Sequence, residues 1–169
     1  MPNSPLNILF LCTHNSARSI LAEALLNDMG GDKFKAFSAG SSPLENQQPN
    51  PLALKALQSA GIRTDGLSSK SWDAFATSAT PDAPKLDLVI TVCDNAAGEV
   101  CPFWPGQPAT AHWGYADPSE VKGTDEERLA AFRQTMLMIQ KRLQLLVSLP
   151  LAGISPLTLQ NEARNLSKA

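Results

Sequence analysis

The segment from Ile8 to Arg18 restricts the possible folds of this chain more than any other. Ile8–Leu11 is a continuous apolar run of the kind that forms a short strand buried on both faces, as in a parallel sheet. The run ends at Cys12, and five residues separate Cys12 from Arg18. A helical pattern follows over 20–29, where Leu21, Ala24, Leu25 and Leu26 supply an apolar face. This order of strand, short loop and helix favours an α/β fold built on a parallel sheet.

The loop between this strand and this helix also has the chemistry of an anion site. Successive backbone N–H groups at a helix N-terminus can point at one tetrahedral anion, and the planar fork of Arg18 can bind two of its oxygens. The same positive environment favours the thiolate form of Cys12. The alternative is a buried core cysteine near a surface arginine, which the sequence context disfavours. The predicted oxyanion-binding residues are Thr13, His14, Asn15, Ser16, Ala17, Arg18 and Ser19.

The remaining pattern predicts one domain. Strands are expected over 35–38, 86–92 and 109–113, and helices over 51–60 and 124–149. Thr124 and Glu127 have the spacing of a capping box at the start of the long helix. The domain is predicted over 1–150, and 151–169 is predicted as a C-terminal tail, since its periodicity is modest.

Two further cysteines and one aspartate are candidates for chemistry near Cys12. Cys93 ends an apolar run, and the carboxyl ends of parallel strands share one edge, so Cys12 and Cys93 are expected to face a common crevice. A helix between Cys93 and Cys101 would hold their Cα atoms ~12 Å apart, beyond the ~7 Å limit for a disulfide. Their pairing therefore requires a looped segment, and free thiols remain the alternative. Asp117, before Pro118, is either a general acid or an ordinary turn residue.

Composition excludes several classes of function. The 169 residues carry a net charge of -2 without a Lys/Arg-rich block, which argues against nucleic-acid binding. Apolar stretches fall short of the ~18 residues that span a bilayer, and the N-terminus lacks a basic targeting region. Three cysteines, an odd number, suggest a reducing compartment, so a cytoplasmic protein is predicted. Zinc spacings are absent, although Cys93, Cys101 and His112 remain a minor alternative; no metal or cofactor is predicted.

Together these segments resemble the arsenate reductases built on the low-molecular-weight protein tyrosine phosphatase fold. The resemblance extends from Asn7 to Leu149 and implies a three-layer α/β sandwich with a four-stranded parallel sheet. Compared with the tyrosine phosphatases, Ala17 replaces a second loop cysteine, His14 replaces a glycine, and Ser119-Glu120 stands where those enzymes place a tyrosine. The matching segments are Leu9–Ser19, Phe37–Gly40, Thr91–Asp94, Cys101-Pro102 and His112–Pro118.

The resemblance implies a role for each candidate residue. Cys12 would be the nucleophile, Arg18 the oxyanion clamp and Asp117 the general acid. Asn15 and Ser19 would stabilise the loop, although Ser19 could equally be an ordinary helix-start residue. Cys93 and Cys101 would form a redox relay with a redox-active disulfide.

The predicted function is reduction of arsenate to arsenite for arsenical resistance and detoxification. Thioredoxin, or glutaredoxin with glutathione, would supply electrons; the spacing from Cys93 to Cys101 is one residue longer than in thioredoxin-linked relatives. Some relatives hold a structural cation that Asn15, Glu23 and Ser38 would suit, but Arg63 replaces an acidic ligand there. The alternatives are a low-molecular-weight protein tyrosine phosphatase acting on phosphate monoesters and a binding protein without turnover.

Overall fold

Four parallel strands form the centre of the molecule. The computed structural model describes residues 5–75, 85–93, 108–151 and 153–168. Within them the strands lie in the order β2-β1-β3-β4, which confirms the predicted four-stranded parallel sheet. The strands are β1 (Leu6–Cys12), β2 (Phe34–Gly40), β3 (Leu88–Thr91) and β4 (Ala109–His112).

Strand β1 is buried on both of its faces, which explains its continuous apolar run. Ile8 and Phe10 contribute to a core shared with the helices. Leu9 and Leu11 point to the opposite face and form a second core, which includes Phe75. Because side chains alternate along a strand, only an unbroken apolar run fills both cores.

Three helices cover the Phe10 face of the sheet: α1 (Arg18–Met29), α2 (Pro51–Ser59) and α3 (Asp125–Val147). The predicted capping box of α3 is present, since the Thr124 hydroxyl accepts a hydrogen bond from the Glu127 N–H and the Glu127 carboxylate accepts one from the Thr124 N–H. In the described part of the chain, no helix is long and apolar enough to cross a membrane.

The C-terminal region contains a helix that the sequence did not predict. Helix α4 (Pro156–Leu166) begins after Ser155, whose hydroxyl accepts a hydrogen bond from the Thr158 N–H. Only Leu159 and Ala163 of α4 are buried. The helix packs on β4.

The two sides of α3 should respond differently to the same substitution. Leu143 is completely buried, whereas 59% of Leu137 is exposed. Leu143→Ala should lower the free energy of unfolding by about 2–5 kcal/mol, since it removes apolar contacts and leaves a cavity. Leu137→Ala should change it by less than about 0.5 kcal/mol. Urea unfolding of both variants measures the difference, and similar losses would contradict this packing.

Candidate active site

The sulfur of Cys12 lies at the end of β1, where the chain turns toward α1. The Asn15 N–H donates a hydrogen bond to this sulfur over 3.2 Å, and the Ser19 hydroxyl lies 2.9 Å from it. Ala17, immediately before α1, has no polar side chain to cap the helix. The first-turn N–H groups of α1 therefore have no cap from the Ala17 side chain, which is the condition for a helix N-terminus to bind an anion.

The amide of Asn15 fixes the middle of this loop. Asn15 is fully buried and adopts a φ of 56°, a conformation that asparagine tolerates better than most residues. Its Oδ1 accepts a hydrogen bond from the Lys70 N–H (2.9 Å), so its Nδ2 is the atom that donates to the Ser19 hydroxyl (2.9 Å). Since Ser19 accepts from Asn15, its own proton is available to the Cys12 sulfur.

The backbone of the loop is in contact with the backbone at the end of β2. The N–H groups of Ser41 and Ser42 donate hydrogen bonds to the carbonyls of Cys12 and Thr13, over 3.0 and 2.8 Å. A Cβ atom at Gly40 would lie 2.6 Å from the Thr13 carbonyl oxygen. Only glycine permits this approach. The sequence pattern does not predict this contact of Gly40.

Arg18 connects the loop to residues 113–117, which follow β4. Its Nη1 donates a hydrogen bond to the carbonyl of Tyr115 over 2.9 Å, and its Nη2 lies 3.6 Å from the Asp117 carboxylate. The other carboxylate oxygen of Asp117 accepts hydrogen bonds from the N–H and the hydroxyl of Ser119. The structure thus brings Arg18, which lies in the loop that begins at Cys12, to Asp117, and adds Tyr115, which the sequence analysis did not single out.

Cys93 lies two residues after the end of β3, the strand beside β1. It is completely buried and disulfide-bonded, whereas Cys12 is a free thiol. Cys101 lies outside the described residues, so the predicted pairing of Cys93 with Cys101 stays a prediction.

Next to the loop, a polar cluster of Glu23, Ser38 and Lys70 is largely enclosed. The Ser38 hydroxyl donates a hydrogen bond to the Glu23 carboxylate. The Lys70 ammonium donates to the carbonyls of Ser38 (3.0 Å) and Ser68 (2.7 Å) and lies 4.0 Å from Glu23. Burial raises the pKa of Glu23, against the opposing effects of Ser38 and Lys70, and burial lowers the pKa of Lys70.

This cluster lies where some relatives would hold a structural cation. Sequence reasoning noted Glu23 and Ser38 as potential cation ligands but missed Lys70, whose ammonium brings positive charge to them from the chain itself. Among the described residues, no group of three or more His, Cys, Asp or Glu side chains could hold a metal ion.

Comparison with known proteins identifies one group of relatives. The family model of the low molecular weight phosphotyrosine protein phosphatases matches residues 7–161. The arsenate reductase of Halalkalibacterium halodurans is 39% identical over 137 residues, which cover 81% of this chain and 91% of that protein. The arsenate reductase of Bacillus subtilis is 38% identical over 137 residues, with the same two coverages.

Solved structures show the same fold. The crystal structure of an arsenate reductase from Archaeoglobus fulgidus superposes with a TM-score of 0.65 and 27% identity, covering 84% of this chain and 99% of that chain. A thioredoxin-dependent arsenate reductase from Corynebacterium glutamicum gives a TM-score of 0.54 and 28% identity, covering 86% of this chain and 65% of that chain.

The contact between Gly40 and the loop predicts a loss of anion binding in Gly40→Ala. The new Cβ would collide with backbone atoms of Thr13, His14 and Asn15 at 2.6–3.0 Å, and backbone cannot move aside as a side-chain tip can. We expect the affinity for inorganic phosphate to fall by about tenfold or more, equivalent to about 1.4 kcal/mol. Isothermal titration calorimetry measures this affinity.

Gly31→Ala is the matched control for this substitution. Gly31 has a φ of 57° but nothing within 4 Å of its Cβ position, so alanine costs backbone strain without touching the loop. Unchanged phosphate affinity is expected for Gly31→Ala. If both variants bound phosphate as the wild type does, the close approach at Gly40 would not matter for binding.

The pair formed by Lys70 and Glu23 predicts a pH-dependent loss of stability in Lys70→Met. Removing the ammonium raises the pKa of Glu23 further, and a carboxyl whose pKa is raised in the folded state loses stability as the pH rises through that value. The deficit relative to wild type should be about 1–2 kcal/mol at pH 8 and smaller at pH 5, where more of Glu23 is protonated.

Urea unfolding at both pH values measures this deficit. Lys55→Met, which removes an exposed lysine of α2, serves as the control and should show no such pH dependence. A deficit in Lys70→Met that is equal at the two pH values would show that the ammonium does not stabilise the Glu23 carboxylate.

Proposed function

The chain belongs to the low molecular weight phosphotyrosine protein phosphatase family, and from this premise we propose that it is an arsenate reductase. It would convert arsenate to arsenite in the cytoplasm, for arsenic detoxification. One observation carries the proposal: the free thiol of Cys12, before the N-terminus of α1, lies at the same sheet edge as a second, disulfide-bonded cysteine, Cys93. Relatives named arsenate reductase support the choice of substrate.

In the first step the Cys12 thiolate attacks arsenic(V), and an arsenic–oxygen bond breaks. Asp117 donates a proton to the departing oxygen, which leaves as water, and a covalent Cys12–arsenic(V) adduct remains. The Asn15 N–H and the Ser19 hydroxyl, both within hydrogen-bond distance of the sulfur, hold it in place for this attack. The backbone N–H groups of the loop (Thr13, His14, Asn15, Ser16, Ala17) together with Ser19 and Arg18 would stabilise the charged arsenate oxygens.

In the second step the Cys93 thiolate attacks the sulfur of Cys12. The sulfur–arsenic electron pair stays on arsenic, which leaves as arsenite, and a Cys12–Cys93 disulfide forms. The arsenic gains two electrons and the two thiols lose two, so the step balances. Burial of Cys93 at the end of the neighbouring strand supports this partner for Cys12.

In the third step the Cys101 thiolate attacks Cys93, which releases the Cys12 thiolate and leaves a Cys93–Cys101 disulfide. An external dithiol then reduces that disulfide and restores the enzyme. We propose thioredoxin for this role, because one structural relative is a thioredoxin-dependent arsenate reductase. Glutaredoxin with glutathione is the alternative reductant.

Hydrolysis of phosphate monoesters is the second candidate function, because the family is that of the phosphotyrosine phosphatases. Phosphate and arsenate share charge and shape, so the loop itself does not separate them. The bonded state of Cys93 favours the reductase, since ester hydrolysis needs no second thiol. Weak hydrolysis of small aryl phosphates is expected as a side reaction.

Disulfide mapping tests the thiol relay. Fully reduced protein is given arsenate without external reductant, digested after alkylation, and analysed by mass spectrometry. The wild type should become lighter by two hydrogen atoms, contain a Cys93–Cys101 disulfide and release one arsenite per chain. Cys101→Ser should stop at a Cys12–Cys93 disulfide, since the last exchange lacks its thiol.

Cys93→Ser completes the set and should form neither of these disulfides. Unchanged wild-type mass after exposure to arsenate would contradict the relay. Efficient hydrolysis of phosphotyrosine peptides that survives in Cys93→Ser would instead establish the phosphatase as the main function. A protein that changes neither arsenate nor phosphoester would be a binding protein.

A further inference from the structure

Helix α4 lies against the free edge of the sheet, where β4 has no neighbouring strand among the described residues. The Gln160 side chain accepts a hydrogen bond from the Thr110 N–H over 3.1 Å. Arg164 donates to the Thr110 carbonyl over 2.9 Å and to the Thr110 hydroxyl over 3.1 Å. Side chains of α4 therefore form hydrogen bonds with the backbone N–H and carbonyl of Thr110, which a fifth strand would otherwise pair with.

Helix α4 also contacts Trp113, the first residue of the loop that follows β4. The indole N–H of Trp113 donates a buried hydrogen bond to the carbonyl of Ala163 over 2.9 Å. Trp113 is completely buried, and its ring packs 6.5 Å from that of Phe10 in β1. Residues 113–117 have no regular secondary structure, so their conformation depends on such tertiary contacts.

A second connection reaches the centre of that loop through Arg142 of α3. Its Nη2 donates a hydrogen bond to the carbonyl of Ser167, just beyond α4, over 3.0 Å. Its guanidinium lies over the Tyr115 ring, 4.9 Å from the centroid, which is the geometry of a cation–π contact. The carbonyl of Tyr115 in turn accepts the hydrogen bond from Arg18.

We propose that the C-terminal segment 155–168 positions the active-site loop 113–117, with Arg142 as the positioning residue between them. Arg142 touches no reacting atom; it acts through Tyr115, whose carbonyl orients the Arg18 guanidinium. The inference rests on the proposed function only in requiring that Arg18 binds a tetrahedral oxyanion. It assigns a role to a segment that the family model covers only as far as residue 161.

The arrangement predicts a loss of anion affinity when Arg142 is replaced. Methionine has a helix propensity close to that of arginine and a similar apolar stem, so Arg142→Met preserves both. The substitution removes the guanidinium contacts with Tyr115 and Ser167. With the Tyr115 carbonyl less well placed, Arg18 is less well oriented toward the anion. We expect the dissociation constant for inorganic phosphate to rise about tenfold, measured by isothermal titration calorimetry on the full-length reduced protein.

Two further variants distinguish positioning from general destabilisation. Arg142→Lys keeps the charge but not the planar fork, so its phosphate affinity should lie between those of the wild type and Arg142→Met. Lys141→Met removes the adjacent, exposed cation of the same helix and should leave the affinity unchanged. The thermal unfolding midpoint is measured for each variant alongside binding.

An Arg142→Met protein that has a lower unfolding midpoint but wild-type phosphate affinity would overturn the proposal, because α4 would then only cover the sheet edge. If Arg142→Met does not fold, Arg142→Lys decides: weaker binding at an unchanged midpoint supports positioning, and unchanged binding refutes it. A wild type that binds no phosphate would overturn both this proposal and the proposed function. A wild type that binds phosphate but never reduces arsenate would contradict the proposed function alone.

Discussion

The buried amide of Asn15 is the interaction on which the geometry of the candidate active site depends. It joins the loop after β1, the backbone at Lys70 and the first turn of α1, through Ser19. The hydrogen bond to Ser19 is buried, so loss of its partner would leave a polar group unsatisfied away from water, at a cost of about 1–3 kcal/mol. The backbone conformation of Asn15 points its N–H at the Cys12 sulfur.

The parallel sheet places the other candidate site residues at the same edge as this loop. Cys12 ends β1, Cys93 follows β3 and residues 113–117 follow β4; these three strands are consecutive neighbours in the sheet. Their carboxyl ends share one edge, so a thiol, a second cysteine and a carboxylate lie at that edge although they are distant in sequence. Arg18 lies near Asp117 and Lys70 near Glu23, which limits the cost of enclosing these charges.

Local patterns predicted much of this arrangement, because they reflect local physical requirements. The apolar run of β1, the spacing from Cys12 to Arg18 and the capping box at Thr124 each lie within a few residues and have a clear pattern. The contacts of Gly40 and Lys70 were not predictable in this way, since they arise where β2 and the 68–71 segment approach the loop. Helix α4 was missed because it buries only Leu159 and Ala163 and is held by polar contacts with β4.

The most direct test of this account is the rate at which iodoacetamide alkylates Cys12 at neutral pH, followed by peptide mass spectrometry. Asn15→Gly keeps the unusual backbone conformation accessible but removes the amide. The account predicts fast alkylation of the wild type with protection by inorganic phosphate, and slower alkylation with weakened protection in Asn15→Gly. Equal rates and equal protection in the two proteins would contradict the claim that this amide organises both the sulfur and the anion site.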